Sequence, residues 1–201
     1  MQTAAAQAKP AYLGLLNAIS LGESNAGVLL RAWADATSDE DLACCLRFVA
    51  ARETSHGELF HRRLCELGFD LRKKSDPEAL RRLAKFGDPK VSDIEKVGPE
   101  REESDEGLTE LEQRITRGEF DPMTANMLSW FIAEEHDSAQ RLREAYAGVR
   151  GMTNGAARKS NGHAADPAAV PSADAQAMMA CMTAGFARLE KSMEKLAKGV
   201  R

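Results

Sequence analysis

A glutamate and a histidine three residues apart stand in the apolar stripe of a predicted helix. The pair is Glu53 and His56, and the stripe runs in steps of three and four through Leu46, Val49, Glu53, His56, Phe60 and Leu64. At helical periodicity these positions share one face, so both polar side chains are predicted to point into the core. An ionised carboxylate buried without a partner is costly, and a cation must therefore face Glu53.

Two further glutamates stand in the apolar stripes of other predicted helices. Glu23 follows Ile19 by four residues, and Glu135 follows Ile132 by three. Both lie near the midpoint of their helices, as Glu53 and its histidine do. In an antiparallel bundle all of them would meet at one height. Carboxylates that converge in this way must share metal ions or protons.

The chemistry of this set favours a metal. Buried carboxylates beside an imidazole repel one another at neutral pH unless a divalent or trivalent cation neutralises them. Mixed carboxylate and histidine ligation suits iron or manganese. The predicted metal is therefore iron, with manganese as the alternative, and the predicted ligands are Glu23, Glu53, His56 and Glu135.

In helix order and motif placement, residues 10–149 resemble the ferritin-like di-iron carboxylate proteins, and the rubrerythrin-type members most. The residues that carry the resemblance are Glu23, Glu53 with His56, and the run Glu134-Glu135-His136. The resemblance implies a four-helix bundle with single glutamate ligands on two helices and Glu-x-x-His on the other two. It implies two iron ions, a bridging glutamate, a terminal histidine, and oxidation of Fe(II) with oxygen or peroxide.

The third and fourth helices depart from the family pattern. Ser138 stands three residues after Glu135, where the family has histidine. The resemblance then leaves His136 as the fourth-helix histidine, which reaches the core only through a local distortion such as a π-bulge. On the third helix, Glu102 would be the family-like ligand if that helix began near Ser92. The sequence has no paired C-x-x-C motifs of a rubredoxin-like module, so a self-contained peroxidase is not expected.

Apolar periodicity and helix start and stop signals predict an all-α fold with four long helices. The resemblance implies that residues 1–150 form a ferritin-like antiparallel four-helix bundle. The predicted long helices span 10–36, 39–67, 99–117 and 122–149. Residues 68–99 form a long connection with a short helix over 77–86. A Gly/Ala/Ser-rich flexible linker is predicted over 151–172, and an amphipathic helix with a coiled-coil-like seam over 173–201.

Composition restricts the partners. The net charge of -4 and the isoelectric point near 5.7 give no electrostatic reason to expect nucleic acid or an anionic membrane as a partner. No apolar run of about 20 residues and no signal-like leader is recognised, so the expected location is cytoplasmic. The four cysteines follow no disulfide or zinc spacing and are interpreted as reduced thiols.

A second hypothesis remains open beside the metal centre. A degenerate, metal-free bundle could keep its acids through internal salt bridges, for example with Arg101, and act through its C-terminal helix as a protein-interaction module. The metal hypothesis expects a homodimer formed through bundle faces. The second hypothesis expects a protein partner that receives the apolar seam of the last helix.

Overall fold

The structure is a computed structural model that describes residues 9–73, 76–99 and 105–160, with side chains described to Gly151. The regular elements of this part of the chain are all helices, which confirms the all-α prediction. The helices are α1 (Leu13–Ala36), α2 (Glu40–Glu66), α3 (Pro77–Gly87), α4 (Asp93–Val97), α5 (Glu106–Thr116) and α6 (Pro122–Ser160).

The predicted ends of α2 are confirmed by its cap residues. The Asp39 side chain accepts hydrogen bonds of 3.0 Å from the backbone N–H groups of Asp41 and Leu42, which would otherwise lack partners. Past the last turn, Gly68 adopts a φ of 82°. This left-handed conformation suits glycine and ends the helix.

The core consists of two apolar clusters with a polar layer between them. The first apolar cluster contains residues from the beginning of α1, the end of α2, α5 and the beginning of α6: Tyr12, Leu13, Leu15, Leu16, Ile19, Phe60, Leu64, Leu108, Leu111, Phe120, Leu128, Phe131 and Ile132. The second contains residues from the end of α1, the beginning of α2, α3, α4 and the middle of α6: Leu29, Leu30, Trp33, Ala34, Leu42, Leu46, Val49, Ala50, Phe86, Val97, Leu142, Tyr146 and Val149. Along α1 and α6 the chain passes from the first cluster to the second, and along α2 it passes back. Helix α2 therefore runs opposite to α1 and α6.

The long connection after α2 packs against the end of α1. Helix α3 lies where the short helix was predicted, whereas α4 was not predicted. Trp33 is fully buried against Phe86, with the ring centroids 5.3 Å apart. Its indole N–H donates to Asp93, which also accepts a hydrogen bond from Thr37. The connection thus covers the second apolar cluster.

Two helix boundaries differ from the prediction, and one segment lies outside the described residues. Helix α6 continues to Ser160, so the expected end near residue 149 is wrong and the first ten residues of the predicted linker are helical. Extending an existing helix requires no new nucleation, and this stretch contains several good helix formers. Helix α5 begins at Glu106 rather than near 99. Residues 161–172 and the predicted helix over 173–201 lie outside the described residues.

The apolar run in α1 and the state of the cysteines bear on two expectations from composition. Helix α1 is long and apolar enough to cross a membrane, with a mean hydropathy of 1.2 over its most apolar window. The expectation that the chain has no such run is therefore wrong. Half of that window is buried inside the fold, as in core helices generally. Of the cysteines in the described part of the chain, Cys44, Cys45 and Cys65 are free thiols, as predicted.

Asp121 joins the beginning of α6 to α1 and α2. Its carboxylate accepts hydrogen bonds from the backbone of Thr124 at 3.1 Å, from the Tyr12 hydroxyl at 2.6 Å and from Arg63 at 2.9 Å. We expect Asp121→Asn to lower the free energy of unfolding by about 2 kcal/mol, because an amide cannot accept all of these bonds and lacks the charge that pairs with Arg63. Urea unfolding beside Asp70→Asn, an exposed control, tests this; equal values for the two variants would contradict it.

Candidate metal centre

Small residues bring α1 and α2 into close contact at the level of the polar layer. A Cβ atom at Gly57 would clash with Ser24 Oγ and approach the Ser20 carbonyl oxygen to 3.1 Å. A Cβ atom at Gly27 would clash with the Thr54 hydroxyl in the same way. Ser20 Oγ also donates a hydrogen bond of 2.8 Å across the interface to the Gly57 carbonyl. The two backbones are therefore too close for larger side chains here.

Four ligand atoms from three helices converge beside this contact. Glu23 on α1, Glu53 and His56 on α2, and Glu135 on α6 each contribute one atom, and these atoms lie within 4.8 Å of one another. Glu53 and His56 are almost completely buried, and Glu135 is 5% exposed. The predicted convergence of these four side chains is therefore present.

One ligand atom of each residue has no hydrogen-bond partner. The atoms are Glu23 Oε2, Glu53 Oε1, His56 Nδ1 and Glu135 Oε1. His56 Nδ1 lies 3.2 Å from Glu135 Oε1 and 3.6 Å from Glu23 Oε2 but has no hydrogen-bond partner. Buried polar atoms are nearly always satisfied in folded proteins. Oxygen and nitrogen atoms left open toward one another fit a cation held among them.

Without a cation, the same groups must hold protons. Burial, a hydrogen bond to Glu23 and the nearby negative charges raise the pKa of Glu53 to about 11. Burial and the charge of Glu135 likewise raise the pKa of Glu23 to about 8, although its hydrogen bond to Glu53 opposes the shift. Burial alone would lower the pKa of His56, but contacts with Glu135 and Glu134 outweigh it and raise that pKa. The metal-free centre is therefore a protonated centre at neutral pH.

The second ring nitrogen of His56 is held by Glu134. Nε2 lies 2.9 Å from Glu134 Oε2, and the other carboxylate oxygen of Glu134 lies 3.5 Å from Nε of Arg52. If Nε2 carries the proton, it donates to Glu134 and the lone pair of Nδ1 faces the three acids. Carboxylates commonly orient metal-binding histidines in this way. Sequence reasoning did not assign a role to Glu134, because it lies one residue off the apolar stripe of α6.

Aromatic rings enclose the remaining sides of His56. Phe131 contacts the imidazole edge to face with centroids 5.0 Å apart, and Trp130 does so at 5.7 Å. Phe131 is fully buried, whereas Trp130 is 51% exposed. The exposed ring of Trp130 therefore lies between the histidine and solvent. The fluorescence of Trp130 should therefore respond to changes around His56.

The remaining predicted ligands are not part of this cluster. His136 is exposed, and α6 continues as a regular α-helix past it, so the expected inward turn of this residue is wrong. One residue corresponds to about 100° of rotation, which directs His136 away when Glu135 points inward. Glu102 lies outside the described residues. Glu58 and His61 repeat the Glu-x-x-His spacing, but they lie off the apolar stripe of α2 and are exposed.

Comparisons with protein-family models, with curated proteins and with solved structures found no match to this chain.

Proposed function

We propose that the protein is a ferritin-like metalloprotein that binds iron, or alternatively manganese, and uses it to oxidise Fe(II) or to react with oxygen or peroxide. The observation that carries this proposal is the convergence of one ligand atom from each of four residues, three of them almost fully buried. Each of these residues also has one buried oxygen or nitrogen atom without a hydrogen-bond partner. Three carboxylate oxygens and one imidazole nitrogen form a donor set that suits these two metals.

The order of the helices supports a ferritin-like architecture. The chain leaves α2 in the first apolar cluster and reaches the second cluster at Phe86 and Val97 before α5 begins. Leu108 and Leu111 of α5 then pack in the first cluster, where α6 begins. The connection therefore crosses the length of the core between α2 and α5. One long crossover between the second and third long helices characterises ferritin-like bundles.

The four converging residues would bind the ion and release protons when it binds. Glu23, Glu53, His56 and Glu135 would hold the ion, which supplies redox chemistry when bound. Glu53 and His56 lie in the water-excluded layer, whereas the Glu23 side chain retains 14% exposure. The protons held by Glu23 and Glu53 in the metal-free state must leave when the cation binds.

Metal analysis tests this proposal. We expect protein purified without chelator to contain iron or manganese, and Glu53→Gln to lose at least about 90% of it, because the substitution removes a charged ligand without changing the shape of the side chain. The matched control is Glu58→Gln, an exposed glutamate on the same helix. Trp130 fluorescence during Fe(II) or Mn(II) titration provides a second measurement. Absence of metal from wild type, with no response to added Fe(II) or Mn(II), would reject the metal function and favour the metal-free scaffold.

A further inference from the structure

Residue 138 is the position from which α6 would supply a second imidazole to the centre. Residues three apart share a helix face, so the side chain at 138 points to the same side as Glu135. Ser138 is fully buried at this position. Its hydroxyl oxygen accepts a hydrogen bond of 3.0 Å from Nη1 of Arg52. The space in front of residue 138 therefore holds a guanidinium group.

Several contacts fix Arg52 in this place. Nη1 also donates to the Glu134 carbonyl oxygen at 3.1 Å and to Asp137 Oδ2 at 2.8 Å. The guanidinium lies over the ring of Phe48, 4.8 Å from its centroid. Arginine stays protonated at every physiological pH, so a fixed positive charge stands beside the centre. A second metal ion brought close to Arg52 would be repelled.

The number of available ligand atoms also argues against a second metal ion. Among the described residues, the group of converging ligand atoms contains four members and a single imidazole. Glu134 is a further carboxylate beside His56, and it is already engaged by His56 Nε2 and by Arg52. Four ligand atoms within 4.8 Å of one another suit one ion.

We propose that this centre binds one metal ion, and that Arg52 occupies the side on which a ferritin-like pair would place its second ion. This proposal depends on the proposed metal function but not on which of the two metals is native. It replaces the expectation of two iron ions that the family resemblance implied.

Mn(II) titration of the full-length metal-free protein, followed by paramagnetic resonance and elemental analysis, tests the stoichiometry. We expect one equivalent bound in wild type, with the spectrum of an isolated ion, and none in Glu53→Gln. Two equivalents with magnetic coupling between them would overturn this inference and leave the metal function intact. No bound manganese and no bound iron would overturn both.

A double variant tests the role of Arg52. Arg52→Leu combined with Ser138→His removes the cation and restores Glu-x-x-His on α6, and we expect it to take up a second equivalent of Mn(II). Ser138→Ala is the control and should keep one equivalent. If the double variant folds, as judged by circular dichroism, and stays at one equivalent, Arg52 does not exclude the second ion. If the double variant does not fold, the number of Mn(II) equivalents bound by the wild-type protein alone tests the inference.

Discussion

The metal-free protein is expected to lose stability as the pH rises from 5 to 7, a range in which many proteins change little. Glu53 and Glu23 have folded-state pKa values of about 11 and about 8, above their ordinary value of 4.5. Between pH 5 and 7 the folded state therefore binds protons that the unfolded state has released. For each such proton, the free energy of unfolding falls by about 1.4 kcal/mol for every unit by which the pH rises.

The direction follows from the sign of these shifts. A carboxyl group with a raised folded-state pKa contributes fully to stability below its unfolded pKa and loses that contribution as the pH rises toward the folded value. His56, whose pKa is also raised, acts in the same direction above its ordinary value of 6.5. Urea unfolding in the presence of chelator measures the effect. Glu53→Gln should have a smaller slope, and a wild-type stability that is flat or rises over this range would contradict the protonated centre.

Metal affinity should change in the opposite direction with pH. Because a cation must displace the protons held by Glu53, Glu23 and His56, each displaced proton raises the association constant about tenfold per pH unit. We expect Mn(II) affinity to increase at least tenfold between pH 6 and 7. Calorimetry in buffers of different ionisation enthalpy counts the released protons. An affinity independent of pH would mean that the four groups do not form the binding site.

The close contact of α1 and α2 predicts a large effect of a small substitution. A methyl group at Gly57 meets Ser24 and the Ser20 carbonyl oxygen, so the helices must separate or shift. Alanine is a better helix former than glycine by about 1 kcal/mol, but overpacking of this kind costs about 1–3 kcal/mol. We expect Gly57→Ala to be destabilising on balance, and to weaken metal binding at least tenfold because Glu23 and Glu53 no longer meet at the same distance.

Gly22→Ala is the matched control for this prediction. Gly22 lies on α1 beside Glu23, and a Cβ atom there meets nothing within 4 Å. The substitution should raise stability slightly through helix propensity and leave metal affinity unchanged. If Gly57→Ala behaves like Gly22→Ala in urea unfolding and in Mn(II) titration, close helix contact is not what sets the distance between the carboxylates.

The four converging residues could be predicted from sequence because each interrupts an otherwise apolar stripe. A charged residue at a stripe position is visible in the pattern, and Glu23, Glu53 and Glu135 all have this property. Glu134 and Arg52 do not, because they lie beside the stripes and acquire their roles only when α2 and α6 pack together. Such contacts join residues 82 positions apart, and spacing along one helix carries no information about them.

The limits of the helices were harder to predict than their existence. Asp39 and Asp121 mark their helices correctly because cap residues act locally. Helix α4 has only five residues. Its first residue, Asp93, accepts hydrogen bonds from Trp33 and Thr37 at the end of α1, far back in the sequence. The continuation of α6 past residue 149 depends on propagation from a helix already formed, which composition alone does not indicate.

The layer of acids between the two apolar clusters also restricts how the helices can align during folding. Apolar stripes by themselves tolerate sliding, since one leucine can replace another across a helix contact. Sliding α2 along α1 by one turn, about 5.4 Å, would set Glu53 among leucines and leave Glu23 facing none of its partners. Because that mismatch is costly, the buried acids fix the alignment of α2 along α1. The correct alignment of the helices and the assembled centre are therefore reached together.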